Sequence, residues 1–505
     1  MLPSDAPLVP QFLHSLAAAY GEDEALVLGD SVLTYAGLER RSRLVAQGLL
    51  GRGVGKGTRI GLLHGNSPEW VTWWAAIARI GATVVPLSTF ARAGELARTI
   101  RHADLHALVT APCHLGRSFT VELETALPGL ATSGQNIALD EAPFLRWVLL
   151  DSPTAVPWAN GPAWLAARAV PERLLGAAEE EVDPADPVLI IYTSGTSAAP
   201  KGVVHSQGAV MAKTHYLRSM LGFRRGEELV ANLPFFWVGG LVMSLFTGLE
   251  AGARVVCQDA STYRLAAPLG SSSGQHNPYA GMRLLPAIGM TETFGMYSWG
   301  SEHRVPGFPI ASPLDEFEPG YEVDVVGADG CPVEDGRIGE IIVRGPTVTR
   351  QLVKVPRSDT FTVDGYLRTG DRGQRDGGRI HFVGRLGDMI KTSGANVAPP
   401  EVEQELLTVD GVLAAYVVGI DSESRGQDVA AAVVLAAGKT VDPDSIRATL
   451  RKRLSGYKVP RHIAILLDSE LPLTAGQKVD RRALAALIES RNDAMSSAVP
   501  AKKFA

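Results

Sequence analysis

The sequence predicts an α/β protein of two unequal domains, and three features carry that expectation. First, an apolar run at 60–63, a helix-like stretch from Ser67 to Gly81 and a second apolar run at 83–87 follow one another with short links, the mark of a parallel βαβ unit. Second, Val188-Leu189-Ile190-Ile191-Tyr192 has the pattern of a buried strand and empties into a loop rich in Gly, Ser and Thr. Third, a smaller α/β unit begins near Gly384. At 505 residues the chain exceeds the usual single-domain size of about 100–200 residues.

The elements follow in order from local chemistry. Ser67-Pro68-Glu69 supplies an N-cap, a proline at the first helical position and an acid in the first turn. Trp70, Trp73, Trp74 and Ile77 then recur at helical packing spacing, which places the tryptophans in a core. The stretch 51–58 superficially resembles a phosphate-binding loop, but its first glycine is one position out of register and Gly57 stands where Ser or Thr is needed, so a turn is expected. The Ala/Glu/Pro-rich stretch 153–187 reads as a surface connection. The uncharged stretch 229–249 is as long as a membrane span, yet Pro234, Gly239, Gly240 and Gly248 interrupt it and Glu228 and Glu250 flank it. It reads as buried core. Short β-rich runs alternate with turns over 318–344. Beyond Gly384 come a helix at 400–407, strands at 412–418 and 429–435, helices at 445–454 and 481–488, and a flexible tail from 491.

Composition narrows the function classes. Lys plus Arg number 48 against 54 acids, a net charge of −6, which argues against nucleic-acid binding by bulk charge. With 46% hydrophobic and 20% charged residues the chain can bury several cores, so disorder is excluded as its main state. Cys113, Cys257 and Cys331 are scattered without a C-x-x-C pair, which excludes a disulfide framework and fits a reducing, cytoplasmic setting. The first residues lack the basic and then apolar regions of a secretory leader. His102 and His106 are spaced for one helical face but have no carboxylate partner at metal spacing, and they read as surface residues.

The strongest local motif is Tyr192-Thr193-Ser194-Gly195-Thr196-Ser197-Ala198-Ala199-Pro200-Lys201-Gly202. A strand ending in consecutive hydroxyls and a glycine offers N–H and O–H donors that wrap a phosphate, and Lys201 adds positive charge. Ser194 belongs to this loop and is not a G-x-S-x-G nucleophile. Further segments follow in order: Pro234-Phe235-Phe236-Trp237-Val238-Gly239-Gly240, Gly289-Met290-Thr291-Glu292-Thr293, the 339–346 segment, Tyr366-Leu367-Arg368-Thr369-Gly370-Asp371, the 384–394 segment, and Leu471-Pro472-Leu473-Thr474-Ala475-Gly476-Gln477-Lys478.

Taken together these segments resemble the adenylate-forming (AMP-binding) superfamily, of the acyl-CoA synthetase or fatty-acid–CoA ligase type, over nearly the whole chain. The resemblance implies a large N-terminal adenylation domain over 1–384, with packed mixed sheets, helices and a β-rich subdomain. A small mobile α+β domain over 385–490 and a flexible tail over 491–505 follow. It implies ATP, Mg²⁺ and CoA, and a carboxylic acid, most simply a fatty acid, activated as acyl-AMP. Lys478, Glu292 and Thr196 become the catalytic candidates, with Glu292 holding Mg²⁺ and Thr196 as a second metal candidate. Nucleotide contacts fall to Thr193, Ser194, Gly195, Thr196, Ser197, Lys201, Ile288, Gly289, Met290, Thr291, Asp371 and Arg385. Phe236, Trp237 and Gly239 form the gate to the acyl pocket, Lys391 and Gly394 the thioester-step loop, and Gly387 the hinge.

The residue types suit this chemistry without the family. Attack of a carboxylate on ATP brings two anions together, so positive charge is needed where they meet, the task of Lys478 and Arg385. Mg²⁺ usually needs one or two protein carboxylates, as Glu292 would supply, and ionised Asp371 accepts both ribose hydroxyls.

Three departures from the family pattern stand out. Trp237 replaces a frequent His, which favours a long apolar acid. Ile288 replaces an aromatic residue, removing its stacking on adenine while keeping apolar burial. Gly387 stands where Asp or Lys is common. In addition, 91 positions separate Lys201 from Glu292, which is short, and 260–287 has no clear match to the usual adenine loop. Either the chain has a natural deletion or its ends join across missing residues. The alternatives are delivery to an acyl carrier protein's pantetheine thiol or, because of the short 260–287 segment, a catalytically impaired binding relative. No nucleic-acid or membrane partner is expected, and an oligomer stays open.

Overall fold

A computed structural model describes residues 7–152, 156–193, 201–231, 233–258, 287–299, 313–314, 316–385, 390–392, 395–397, 399–422, 425–454, 456–474 and 478–497. Two compact units emerge. The first comprises Met1–Leu284, Gly289–Tyr297 and Gly345–Thr360, and the second Leu285–Ile288, Ser298–Arg344 and Phe361–Ala505.

The first unit is built on a seven-stranded sheet in the spatial order Lys201–Ser206, Pro187–Thr193, Thr83–Pro86, Arg59–Leu63, Ala107–Thr110, Trp147–Leu150 and Ala159–Asn160. The strands are parallel except Lys201–Ser206, which turns back antiparallel to Pro187–Thr193. Helices cover such sheets on both faces, so the strands read as unbroken apolar runs, as Ile60–Leu63 and Val188–Ile191 do. The helix Pro68–Ala78 begins as its punctuation predicts: Ser67 Oγ accepts from the Trp70 N–H at 3.1 Å. Trp70, Trp73 and Trp74 are all buried. A four-stranded sheet, Glu228–Ala231, Arg254–Cys257, Glu24–Leu28 and Ser31–Thr34, completes the unit.

The supposed surface connection at 153–187 is more than that, because it contains the helix Glu172–Glu180, whose Glu179 is buried against Arg79. The Arg79 guanidinium is fully buried. It donates from Nε to Glu179 at 2.6 Å, from Nη2 to Glu39 at 2.9 Å and from Nη1 to the Ser42 hydroxyl at 2.8 Å. Two carboxylates on one buried cation tie three helices together. Arg79→Ala takes the buried cation from Glu179, while Glu39 keeps its pair with Arg43 at 3.3 Å, and it is expected to cost about 3–5 kcal/mol, read as a lower denaturation midpoint at unchanged slope.

The uncharged stretch 229–249 is core, as expected. It forms the strand Glu228–Ala231, a π-helix at Gly239–Phe246 and a short helix at Thr247–Ala251. No helix among the described residues is long and apolar enough to cross a membrane.

The second unit holds an antiparallel sheet, Pro313–Leu314, Arg379–Arg385, Leu367–Asp376, Ile338–Arg344 and Glu322–Val326, which answers to the β-rich expectation. It also holds a sheet of Ala395–Val397, Ile390–Thr392, Gly426–Leu435, Val412–Ser422 and His462–Leu466. Strand periodicity divides two cores there. Val429, Ala431 and Val433 face the helices Pro399–Leu407 and Pro443–Leu450, whereas Ala430, Ala432 and Val434 face Leu484 and Ile488 of Arg481–Ser497. Two boundaries differ from the sequence reading. The middle helix stops at Leu450, and the last runs to Ser497, past Arg491, where the sequence places a tail. The architecture is that of a mixed α/β protein with a large N-terminal and a small C-terminal domain.

Candidate functional site

The carboxyl edge of a parallel sheet is where loops gather to bind ligands. In the first unit, Pro187–Thr193 ends there at Thr193, and the chain re-enters at Lys201, the backbone partner of Thr193. Ser194, Gly195, Thr196 and Ser197 lie outside the described residues. Lys201 Nζ donates to Glu292 Oε1, so the sheet holds the lysine of one motif against the carboxylate of another 91 residues away.

Glu292 is buried in a single helical turn, Thr291–Thr293. That turn is fixed from several sides. The Met290 N–H donates to Thr293 Oγ1 at 3.1 Å, Thr347 Oγ1 donates to the Thr293 carbonyl at 3.0 Å, and the Thr349 N–H donates to the Glu292 carbonyl at 2.7 Å. Gly289 is required because a Cβ there would lie 2.5 Å from the Gly295 carbonyl oxygen. Phe294 follows in a left-handed conformation, its ring 4.7 Å from that of His205. Burial pushes the His205 imidazole down to about 3, so it stays neutral behind the turn.

Glu292 Oε1 takes Lys201, and Oε2 has no hydrogen-bond partner among the described residues. One buried carboxylate fits a Mg²⁺ ion that completes its shell with water and phosphate. Glu292 would hold the ion, which would neutralise phosphate charge. Among the described residues there is no cluster of three or more His, Cys, Asp or Glu, so a protein-only metal cage is absent there. His102 is half-buried rather than on the surface, because its Nδ1 meets the Tyr192 hydroxyl at 2.9 Å.

The segment expected to form the gate is shaped by residues the motif did not include. The Asn66 amide brackets it, with Oδ1 accepting from the Phe235 N–H at 2.8 Å and Nδ2 donating to the Leu233 carbonyl at 2.9 Å. Gly240 packs its α-carbon on the Pro234 carbonyl, where a Cβ would approach to 2.1 Å. Phe235 is buried against Trp70, and Phe236 is buried beside the half-buried Trp237 and Gly239. The chain then enters the π-helix, a rare form that recurs at functional sites.

In the second unit, Asp371 is buried on Leu367–Asp376, and its backbone N–H donates to Thr369 Oγ1 at 2.9 Å. Its cross-strand backbone partner is Arg385, so two expected nucleotide contacts occupy facing register positions. Ile288 is half-buried and packs on a core of Leu314, Val325, Ile341 and Ile380. Lys391 lies in the hairpin strand Ile390–Thr392, opposite Asn396, whereas Gly387 and Gly394 lie outside the described residues. Lys478 is exposed, with its carbonyl accepting from the Thr474 N–H at 2.7 Å. Most of the short 260–287 stretch, 260–286, also lies outside them.

Comparison with known proteins places the chain. Residues 13–271 match the AMP-binding enzyme family, and residues 401–478 match the AMP-binding enzyme C-terminal domain. Over 479 residues the chain is 30% identical to a feruloyl-CoA synthase of Amycolatopsis sp., covering 89% of this chain and 93% of that protein. It is 28% identical over 518 residues to a sulfoacetate–CoA ligase of Cupriavidus necator, covering 92% and 95% respectively. A benzoate CoA ligase from Burkholderia xenovorans LB400 shares the fold, with a TM-score of 0.75 at 21% identity over 95% of this chain and 100% of that one. The chain therefore belongs to the adenylate-forming family of AMP-binding enzymes.

Proposed function

We propose that the protein is an ATP-dependent acid–CoA ligase. The observation that carries this is the Lys201–Glu292 pair, in which the sheet edge holds a phosphate-loop lysine against a buried carboxylate. In the first step an oxygen of the acid attacks the α-phosphorus of ATP. The bond from that phosphorus to the bridging oxygen breaks, giving acyl-AMP and pyrophosphate. In the second step the CoA thiolate attacks the acyl carbonyl and AMP leaves.

On this reading Lys478 and Arg385 stabilise the charge that gathers as the anions meet, and Asp371 accepts from the ribose hydroxyls. Thr193, Ser194, Gly195, Thr196, Ser197 and Lys201 would hold the phosphates, and Glu292, with Thr196 as the second candidate, would hold Mg²⁺. Ile288, Gly289, Met290 and Thr291 line the nucleotide, Phe236, Trp237 and Gly239 gate the acid, and Lys391 and Gly394 serve the thioester step about a hinge at Gly387.

The acid has an apolar body. The segment carries no charge to meet a desolvated ammonium, and Trp237 favours a fatty acid. The ring cluster at the gate and relatives named for ferulate and benzoate support an aryl acid as the second reading. The test is pyrophosphate release from MgATP with a panel of fatty acids of graded length, aryl acids and amino acids, each with CoA or a pantetheinylated carrier protein. Release with an apolar acid and thioester formation on free CoA are expected. No release with any acid overturns the enzymatic reading, and thioester on the carrier alone overturns CoA as acceptor.

A further inference from the structure

Thr83–Pro86 lies between Arg59–Leu63 and Pro187–Thr193 in the large sheet, so the loop after it emerges beside the loop that carries Asn66 and beside the strand that delivers the phosphate loop. Phe90 sits on that loop. Its ring stands edge-on to Phe236 at 5.4 Å and 85° and to Trp237 at 6.1 Å and 65°, and Phe236 and Trp237 meet at 5.7 Å and 75°. The three rings close on one another. Phe236 is buried, whereas Phe90 and Trp237 are half-buried, so these two form the accessible side of the cluster.

Phe90 is held in place and does not merely lie there. The Arg117 guanidinium donates to the Thr89 carbonyl at 2.6 Å and to the Ala91 carbonyl at 2.9 Å, clamping the backbone on either side, and pairs with Glu122 at 2.8 Å. The Phe90 N–H donates to Ser88 Oγ at 3.2 Å. Across the cluster, Asn66 fixes the backbone that carries Phe236 and Trp237. Both sides of the ring contact are therefore anchored to ends of adjacent parallel strands, the rigid placement that a selective site needs.

We propose that Phe90 is a specificity-determining residue of this enzyme, the third wall of the acid gate, and that it limits how wide an apolar acid can be. Edge-to-face contact from Phe90 holds the Trp237 indole in one orientation. Shortening the ring frees Trp237 to turn and widens the passage, and enlarging it narrows the passage. This rests on the reading of the protein as an acid–CoA ligase with its gate at 236–239.

The test compares Phe90→Leu and Phe90→Trp with the parent, measuring kcat/KM for each acid of the panel and KM for ATP. Relative to a slim acid, the preference for a bulky one is expected to rise about 10-fold in Phe90→Leu and to fall by a similar factor in Phe90→Trp, the size expected when a pocket changes by a methylene or more. KM for ATP stays put, which separates a gate from a general loss of structure. Arg117→Gln, which loosens the clamp, shifts the preference the same way as Phe90→Leu. An unchanged ranking of acids in both Phe90 variants overturns the proposal. Failure of the parent to release pyrophosphate with any acid overturns the ligase reading instead, and the two failures are read on different proteins.

Discussion

Lys478→Ala is expected to lower acid-dependent ATP–pyrophosphate exchange by about 10²–10³-fold, the usual loss when one preorganised charge-stabilising donor is removed. The lysine is exposed, and its main chain is held by Thr474, whose N–H donates to the Lys478 carbonyl at 2.7 Å and whose Oγ1 accepts from the Lys478 N–H at 3.3 Å, so stability should stay within about 0.5 kcal/mol of the parent. That contrast is the point of the experiment: activity falls without a change in the denaturation midpoint. Lys478→Arg should not rescue, because a planar fork does not occupy the position of a compact ammonium. Supplying acyl-AMP directly removes the need for the lysine, so thioester formation from acyl-AMP and CoA should remain near the parent rate. Equal loss in both half-reactions would sink the assignment of Lys478 to the first.

The Lys201–Glu292 pair gives the second large effect, and it is asymmetric. The Glu292 side chain is 6% exposed and that of Lys201 is 37% exposed. Lys201→Met strands a buried carboxylate without its cation and is expected to cost about 1–3 kcal/mol of stability. Glu292→Gln leaves a lysine that water can reach, and should cost less than about 1 kcal/mol. Activity should fall about 10²-fold or more in Glu292→Gln, with the requirement for Mg²⁺ shifted to higher concentration. Urea midpoints check the first pair of outcomes, and a Mg²⁺ titration of pyrophosphate release checks the second. If the two substitutions destabilise equally, burial of the carboxylate is not what makes the pair matter.

Local chemistry was legible wherever a few adjacent residues decide it. Ser67-Pro68-Glu69 starts a helix because cap, proline and acid satisfy its first turn, and Val188–Ile191 is a buried strand because an unbroken apolar run fits a sheet covered on both faces. The phosphate-loop, Glu292 and Asp371 motifs were legible as residue types at set spacing. The 153–187 stretch misled because Ala, Glu and Pro are ordinary surface residues. Nothing near Glu179 shows that Arg79, 100 residues earlier, draws it inside. Asn66 and Phe90 were missed for the same reason, since an asparagine before a helix and a phenylalanine in a loop carry no local signal.

The sequence by itself determined the family, the order of the motifs, the parallel βαβ start and the two-domain α/β plan, because each is written in neighbouring residues. Tertiary structure alone decided which side chains meet. Asn66 clasps Phe235 across 169 residues, Thr349 steadies Glu292, and Phe90 faces Trp237. The physical reason is the sheet: adjacent parallel strands bring the loops at their carboxyl ends side by side, however far apart those loops lie along the chain.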